Sequence, residues 1–218
     1  MTYFAILTAV CVVLLLGRER RGDLVGQAIL KLMASTSFVG CALVAGAWES
    51  TFGRWVIVAL LLSWIGDACL LSRRRGPFLA GLVSFLLAHL AYCAGFVALG
   101  ADRQTALTGM AILVVVGAGY ARWLLPHIES GMRLPVVVYL VVISMMVALG
   151  IGAAREALDH GIAAPIAALL LIAPLAFYLS DLAVARDRFV ARAFVNRLWG
   201  LPLYYAAQIL FAVSTRLL

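Results

Sequence analysis

Eight apolar runs, each close to the length that crosses a bilayer, follow one another with little between them. They are Thr2–Leu16, Leu24–Ala47, Arg54–Ser72, Pro77–Leu99, Thr105–Leu125, Leu134–Ala154, Ile162–Ala185 and Leu198–Leu217. A bilayer core takes about 20 residues of α-helix to cross. Lipid offers the backbone no hydrogen-bond partner, so runs of this length and uniformity must close their own bonds as helices. The expected fold class is all-α: a polytopic membrane protein of about eight transmembrane helices, forming a single integral membrane domain over 1–218. Glycine and proline punctuate the breaks, at Gly22-Asp23, Gly76-Pro77, Gly100, Pro126 and Gly161. The connections are short, which predicts antiparallel packing of consecutive helices. The first run is the shortest. It lacks a basic leader and meets Arg18-Glu19-Arg20-Arg21 in place of a small-residue cleavage site, so it reads as a retained anchor.

Charge decides orientation and excludes one partner class. The chain is 65% hydrophobic and 12% charged with a net charge of +7, against roughly 25% charged residues in soluble domains. A basic balance of this kind can signal nucleic acid. Here, however, the arginines sit in short loops: Arg18, Arg20, Arg21, Arg73, Arg74, Arg75, Arg122, Arg133, Arg186, Arg188, Arg192 and Arg197 all follow odd-numbered helices. Arg54, Arg103, Arg155 and Arg216 are the only arginines on the other side. The positive-inside rule makes the twelve-arginine side cytoplasmic and puts both termini outside, with no nucleic-acid partner expected. Cys11, Cys41, Cys69 and Cys93 lie in apolar runs without metal-ligand spacing, so neither a metal nor a cofactor is expected.

Within the apolar runs a few polar residues stand out. Asp67 and Asp181 each lie in an apolar run that ends in arginines, six residues before Arg73 and five before Arg186. A carboxylate in hydrocarbon costs about 2.5–3.5 kcal/mol on insertion scales, so a chain that buries two has a use for them. The spacing predicts a depth of ~8–9 Å below the basic helix end for each acid. Lys31, Tyr139, Tyr204 and Tyr205 fall at similar depth, with His89 and Gln208 further in. Gln27, Lys31 and Ser35 form an i, i+4, i+8 stripe. Acid, basic loop and glycine–proline recur as Asp67…Arg75-Gly76-Pro77 and Asp181…Gly200-Leu201-Pro202, which hints at two parallel four-helix halves.

The motifs resemble those of the YhhN family of multispanning proteins, whose animal members are lysoplasmalogenases. They are Lys31-Leu32, Ser63-x-x-Gly66-Asp67-x-x-Leu70 and Phe85-x-x-Ala88-His89-x-x-Tyr92, then Phe177-x-x-Ser180-Asp181-x-x-x-Ala185-x-x-x-Phe189 and Tyr204-Tyr205-Ala206-Ala207-Gln208. Met33 after Lys31-Leu32 and Leu182 after Asp181 depart from the family pattern. The resemblance implies hydrolysis of the vinyl ether bond of a lysoplasmalogen, a lysophospholipid substrate drawn from membrane lipids, giving a fatty aldehyde and a glycerophospho-headgroup.

That reaction asks for a proton donor to carbon and a carboxylate to steady the resulting cation and activate water, as in paired-acid glycoside hydrolysis. Asp67 and Asp181 are the expected catalytic pair, lining one cavity open to the cytoplasmic side or to the lipid beside it. Lys31, His89, Tyr139, Tyr204, Tyr205 and Gln208 are the expected substrate contacts. No serine-nucleophile elbow and no His-Glu-x-x-His zinc motif occurs in the sequence. A proton-coupled lipid or small-molecule transporter using the same aspartates as a relay stays open as the rival reading.

Overall fold

The computed structural model describes residues 1–72 and 74–217; Arg73, one of the expected topology arginines, lies outside them. The described residues form eight long α-helices and one 3₁₀ turn. They are α1 (Thr2–Arg21), α2 (Leu24–Val44), α3 (Thr51–Cys69), α4 (Arg75–Ala98), α5 (Arg103–Leu124), α6 (Ser130–Asp159), α7 (Ala164–Phe189) and α8 (Phe194–Leu217). All eight are long and apolar enough to cross a membrane. The protein is an all-α, multi-pass integral membrane protein.

Several helices outrun their apolar stretches at the basic end. α1 continues through Arg18, Arg20 and Arg21 to Gly22, whose φ of 71° closes it in the left-handed conformation. α7 carries Arg186 and Arg188 in its last turn, and α8 starts four residues before its apolar run. Arginine and glutamate are good helix formers, so a helix continues past the point where hydropathy falls. α3 does the reverse. It stops at Cys69, three residues short of the expected Ser72, leaving Asp67 two residues from its end. Asp181 lies eight residues from the end of α7. These offsets give ~3 Å and ~12 Å in place of the equal depths that the arginine spacing predicts.

The helices pack as four consecutive hairpins, α1–α2, α3–α4, α5–α6 and α7–α8, with α3–α4 and α7–α8 the most extensive. The hairpins join through α2–α3 and α6–α7, and through α2–α8 and α4–α6. Advancing every helix number by four, cyclically, exchanges the members of each of these sets. The contact pattern therefore agrees with the two-halves reading. Its asymmetry is that α1 and α3 also lean on α8. Glycines allow several close approaches, two of them within the α3–α4 and α7–α8 hairpins. A Cβ on Gly66 would lie 2.6 Å from the Phe85 ring, and one on Gly200 would lie 2.7 Å from Ala183 Cβ.

The main core draws buried residues from every helix except α5, which adds only the partly buried Leu113, and Phe38, Tyr92, Phe96, Phe177, Tyr205 and Phe211 are among its largest fully buried side chains. A second cluster, Phe78, Leu124, Ile128 and Met132, closes the basic end between α4, α5, α6 and α7. Also at that end, Arg197 bridges Glu19 of α1 and Asp187 of α7.

Candidate active site

Asp67 of α3 is held from two helices, α2 and α8. Lys31 Nζ of α2 lies 3.1 Å from its Oδ1. Ser35 Oγ and Tyr204 OH donate to its Oδ2 at 2.6 and 2.7 Å. The residue is 2% exposed and Lys31 15%. A carboxylate in the last turn of a helix faces the negative end of the helix dipole, so this one depends on its lysine. Ser35, absent from the expected site, sits on the stripe with Lys31; the i, i+4 spacing was the signal that pointed to it. Gln27 leaves that stripe, donating to the Arg18 carbonyl at 3.3 Å.

Asp181 has a different set of partners. Tyr139 OH of α6 donates to Oδ2 at 2.5 Å, and His89 Nε2 of α4 stands 3.8 Å from the same oxygen. No lysine or arginine lies within ion-pair distance of it among the described residues. Asp181 is 17% exposed while His89 is fully buried, and neither ring nitrogen of His89 has a hydrogen-bond partner among the described residues. α2 and α8 thus serve Asp67, while their counterparts α6 and α4 serve Asp181.

A wall of rings joins the two nests. Tyr204, bonded to Asp67, packs edge-on to Phe177 at 5.3 Å between centroids. Phe177 packs on His89 at 4.6 Å, and His89 on Tyr139 at 5.2 Å. Phe85 touches both Phe177 and Tyr204. Phe85 and Phe177 are functional candidates that polarity alone did not single out, although both belong to the motifs. No hydrogen bond links the carboxyls. The two acids flank one wall of rings, and Asp67 beneath Tyr204 is 2% exposed.

The remaining expected residues divide. Tyr205 OH donates to the Lys31 carbonyl at 3.2 Å and lies 3.4 Å from Ser35 Oγ, so it belongs to the Asp67 nest. Gln208 does not reach either acid. It accepts a 2.6 Å hydrogen bond from Tyr92 OH, one turn deeper on the α4–α8 seam, where Tyr92 stacks on Phe211 at 3.8 Å. Tyr204 and Tyr205 are buried, which excludes a place in an interfacial aromatic belt. No group of three or more potential metal ligands occurs among the described residues.

The sequence model of the YhhN family matches residues 26–215, a span that includes both nests. The chain belongs to the YhhN family. Among its relatives, lysoplasmalogenase TMEM86A of Bos taurus is 32% identical over 73% of this chain and 64% of its own length. Lysoplasmalogenase TMEM86B of Mus musculus is 35% identical over 72% and 61%. A lysoplasmalogenase of Mycobacterium bovis is 33% identical over 57% and 51%. The matched part of this YhhN chain thus spans between about half and two thirds of those relatives' length. No solved structure matches it.

Proposed function

We propose that this YhhN protein hydrolyses the vinyl ether bond of a lysoplasmalogen-type lysophospholipid, with Asp181 moving the proton and Asp67 supplying a fixed negative charge. The observation that carries the division of labour is the single lysine: Lys31 matches Asp67, and Asp181 has no such partner. A buried charge is tolerated when paired and costly when not. An unmatched carboxyl is therefore the natural proton carrier.

The reaction runs in three steps. Tyr139 occupies Oδ2 of Asp181, so Oδ1 holds the proton, which passes to the β-carbon of the alkenyl ether. The carbon–carbon π pair becomes the new C–H bond, leaving an oxocarbenium ion and an Asp181 carboxylate. Water adds to the cationic carbon and its surplus proton returns to Asp181. The hemiacetal then collapses: its hydroxyl proton goes to the leaving glyceryl oxygen, and aldehyde and glycerophospho-headgroup separate. One water is consumed. The faces of Phe85 and Phe177 offer π density toward the developing cation. Asp67 is a positioning residue in this scheme, since Lys31, Ser35 and Tyr204 take up its carboxyl oxygens.

The name borne by the relatives supports the reading, as does the placement of both acids toward the basic end. Polar groups of the far half, Ser214 and Thr215, turn back on the carbonyls of Phe211 and Ala212, which gives a transporter's proton path no support. The basic end, and with it the site, is assigned to the cytoplasmic half. The test is aldehyde release from an alkenyl lysophospholipid by the purified chain in bilayer nanodiscs. Asp181→Asn should lower the rate by about 10²–10⁴-fold, the range of general acid–base contributions, with unchanged thermal unfolding. No release by the wild-type chain, or full release by a folded Asp181→Asn variant, overturns the proposal.

A further inference from the structure

A cleft of ≈ 310 Å³ opens at the basic end between the start of α4, the α5–α6 connection and the end of α7. Arg75, Arg188, Glu129 and the His127 imidazole stand around it, with Phe78, Met132 and Phe189 as its apolar lining. None of these residues belongs to either acid nest. Arg75 and Glu129 approach at 3.5 Å but are 61% and 69% exposed, and such pairs are worth little. Arg188 is spread over the Phe78 ring at 4.2 Å, and Phe78 meets Phe189 edge-on at 6.1 Å. The cleft therefore offers two guanidinium groups, one carboxylate and an imidazole turned to the Trp123 carbonyl, over an apolar floor.

Helix periodicity ties that floor to Asp181. Phe189, Ala185 and Asp181 are i, i−4, i−8 on α7; Met132, Val136 and Tyr139 run i, i+4, i+7 on α6; Phe78, Leu82, Phe85 and His89 run i, i+4, i+7, i+11 on α4. Leu82, Val136 and Ala185 pack against the basic-end cluster that forms the floor. Three helices thus present one face each, with the cleft at one end and Asp181, Tyr139 and His89 at the other. From Phe189 to Asp181 the rise is ~12 Å.

We propose that this cleft binds the zwitterionic headgroup of the substrate, Arg75 and Arg188 taking the phosphate and Glu129 the ammonium. The assignment rests on the hydrolase reading above and adds to it the place where the headgroup is held, outside both acid nests. Guanidinium groups suit phosphate oxygens. A zwitterion replaces one weak, exposed ion pair with two, and its chain continues along the apolar floor toward the acid. The glycerol then falls between cleft and carboxyl, where the ether bond has to be.

The test measures binding separately from turnover. The full chain in nanodiscs is titrated with three saturated ether probes that it cannot cleave by this route: an alkyl lysophosphatidylethanolamine, the matching alkylglycerophosphate and the matching alkylglycerol. Wild type should bind the ethanolamine lipid about tenfold more tightly than alkylglycerol, as expected for charge-assisted hydrogen bonds. Arg188→Gln should erase most of that difference. Glu129→Gln should erase the preference for the ethanolamine lipid over alkylglycerophosphate while leaving alkylglycerophosphate binding unchanged. Equal binding of all three probes by wild type, or unchanged probe preferences in both variants, overturns the headgroup site. Aldehyde release, assayed in parallel on an alkenyl lipid, reports on the hydrolase reading alone. Selective binding without release keeps the cleft and removes the chemistry.

Discussion

Lys31 Nζ lies 3.1 Å from Asp67 Oδ1 and makes no ion pair with Asp181, although both acids lie within the bundle toward its basic end. The membrane-embedded carboxylates are thereby made unlike each other. One is half of a buried ion pair with two further hydrogen-bond donors. The other is left with a phenol and an imidazole.

The pair should behave as a unit in stability. Lys31→Met leaves the Asp67 carboxylate buried without its cation, and removing one member of a buried pair costs about 3–5 kcal/mol. Combining it with Asp67→Asn removes the stranded charge and should recover most of that loss. Thermal unfolding of the two single variants and the double variant in one detergent measures the coupling. A double variant no more stable than Lys31→Met would show that the pair does not hold this region together.

Two tyrosines give a sharper contrast. Tyr139→Phe deletes the hydroxyl that donates to Asp181, and kcat for aldehyde release should fall about tenfold to a hundredfold, the worth of a hydrogen bond to a charged group. KM should change little. Tyr205→Phe loses a bond to a backbone carbonyl in the other nest and should leave kcat within a factor of a few. Equal losses in the two variants would remove the distinction between the nests.

Orientation can be read by labelling. Arg74 is exposed at the basic end, while Cys11, Cys41 and Cys93 are buried and Cys69 is intermediate. A cysteine replacing Arg74 should react with a membrane-impermeant thiol reagent only after cells are permeabilised if that end faces the cytoplasm, as the arginine bias predicts. Reaction in intact cells, above the wild-type background, would invert the assignment.

Acid should loosen the start of α2 at a defined place. The Gly26 N–H, donated to Asp23 Oδ1 at 3.0 Å, and Arg18, 2.8 Å from Oδ2, hold the Asp23 carboxyl below its usual range. A group whose pKa is lower folded than unfolded stabilises above the unfolded value, about 3.9, and loses that contribution as pH falls toward the folded one. Thermal midpoints taken from pH 6 to pH 3 should therefore drop more steeply below about pH 4 for wild type than for Asp23→Asn, which keeps a capping oxygen without the titration. Parallel curves would mean that the cap contributes nothing to acid sensitivity.

Membership of the membrane, the number of spans and the two acids were all legible in the chain, because burial in lipid is decided residue by residue over a window of about 20. The polar stripe of Lys31 and Ser35 was legible too, since a helix fixes which residues share a face. What such a face meets is another matter. That Lys31 reaches Asp67, that Tyr139 reaches Asp181, and that Gln208 turns to Tyr92 all depend on which helices are neighbours and how each is rotated about its axis. Those settings come from small-residue contacts such as Gly66 against Phe85 and Gly200 against Ala183, distributed over distant parts of the chain. Helix ends were misjudged for a related reason: arginine and glutamate end a hydrophobic run without ending a helix. The sequence by itself determined the eight spans and the identity of the acids; only the tertiary structure decided which acid received the lysine, because a charge is matched by what lies across the helix interface and not by what precedes it in the chain.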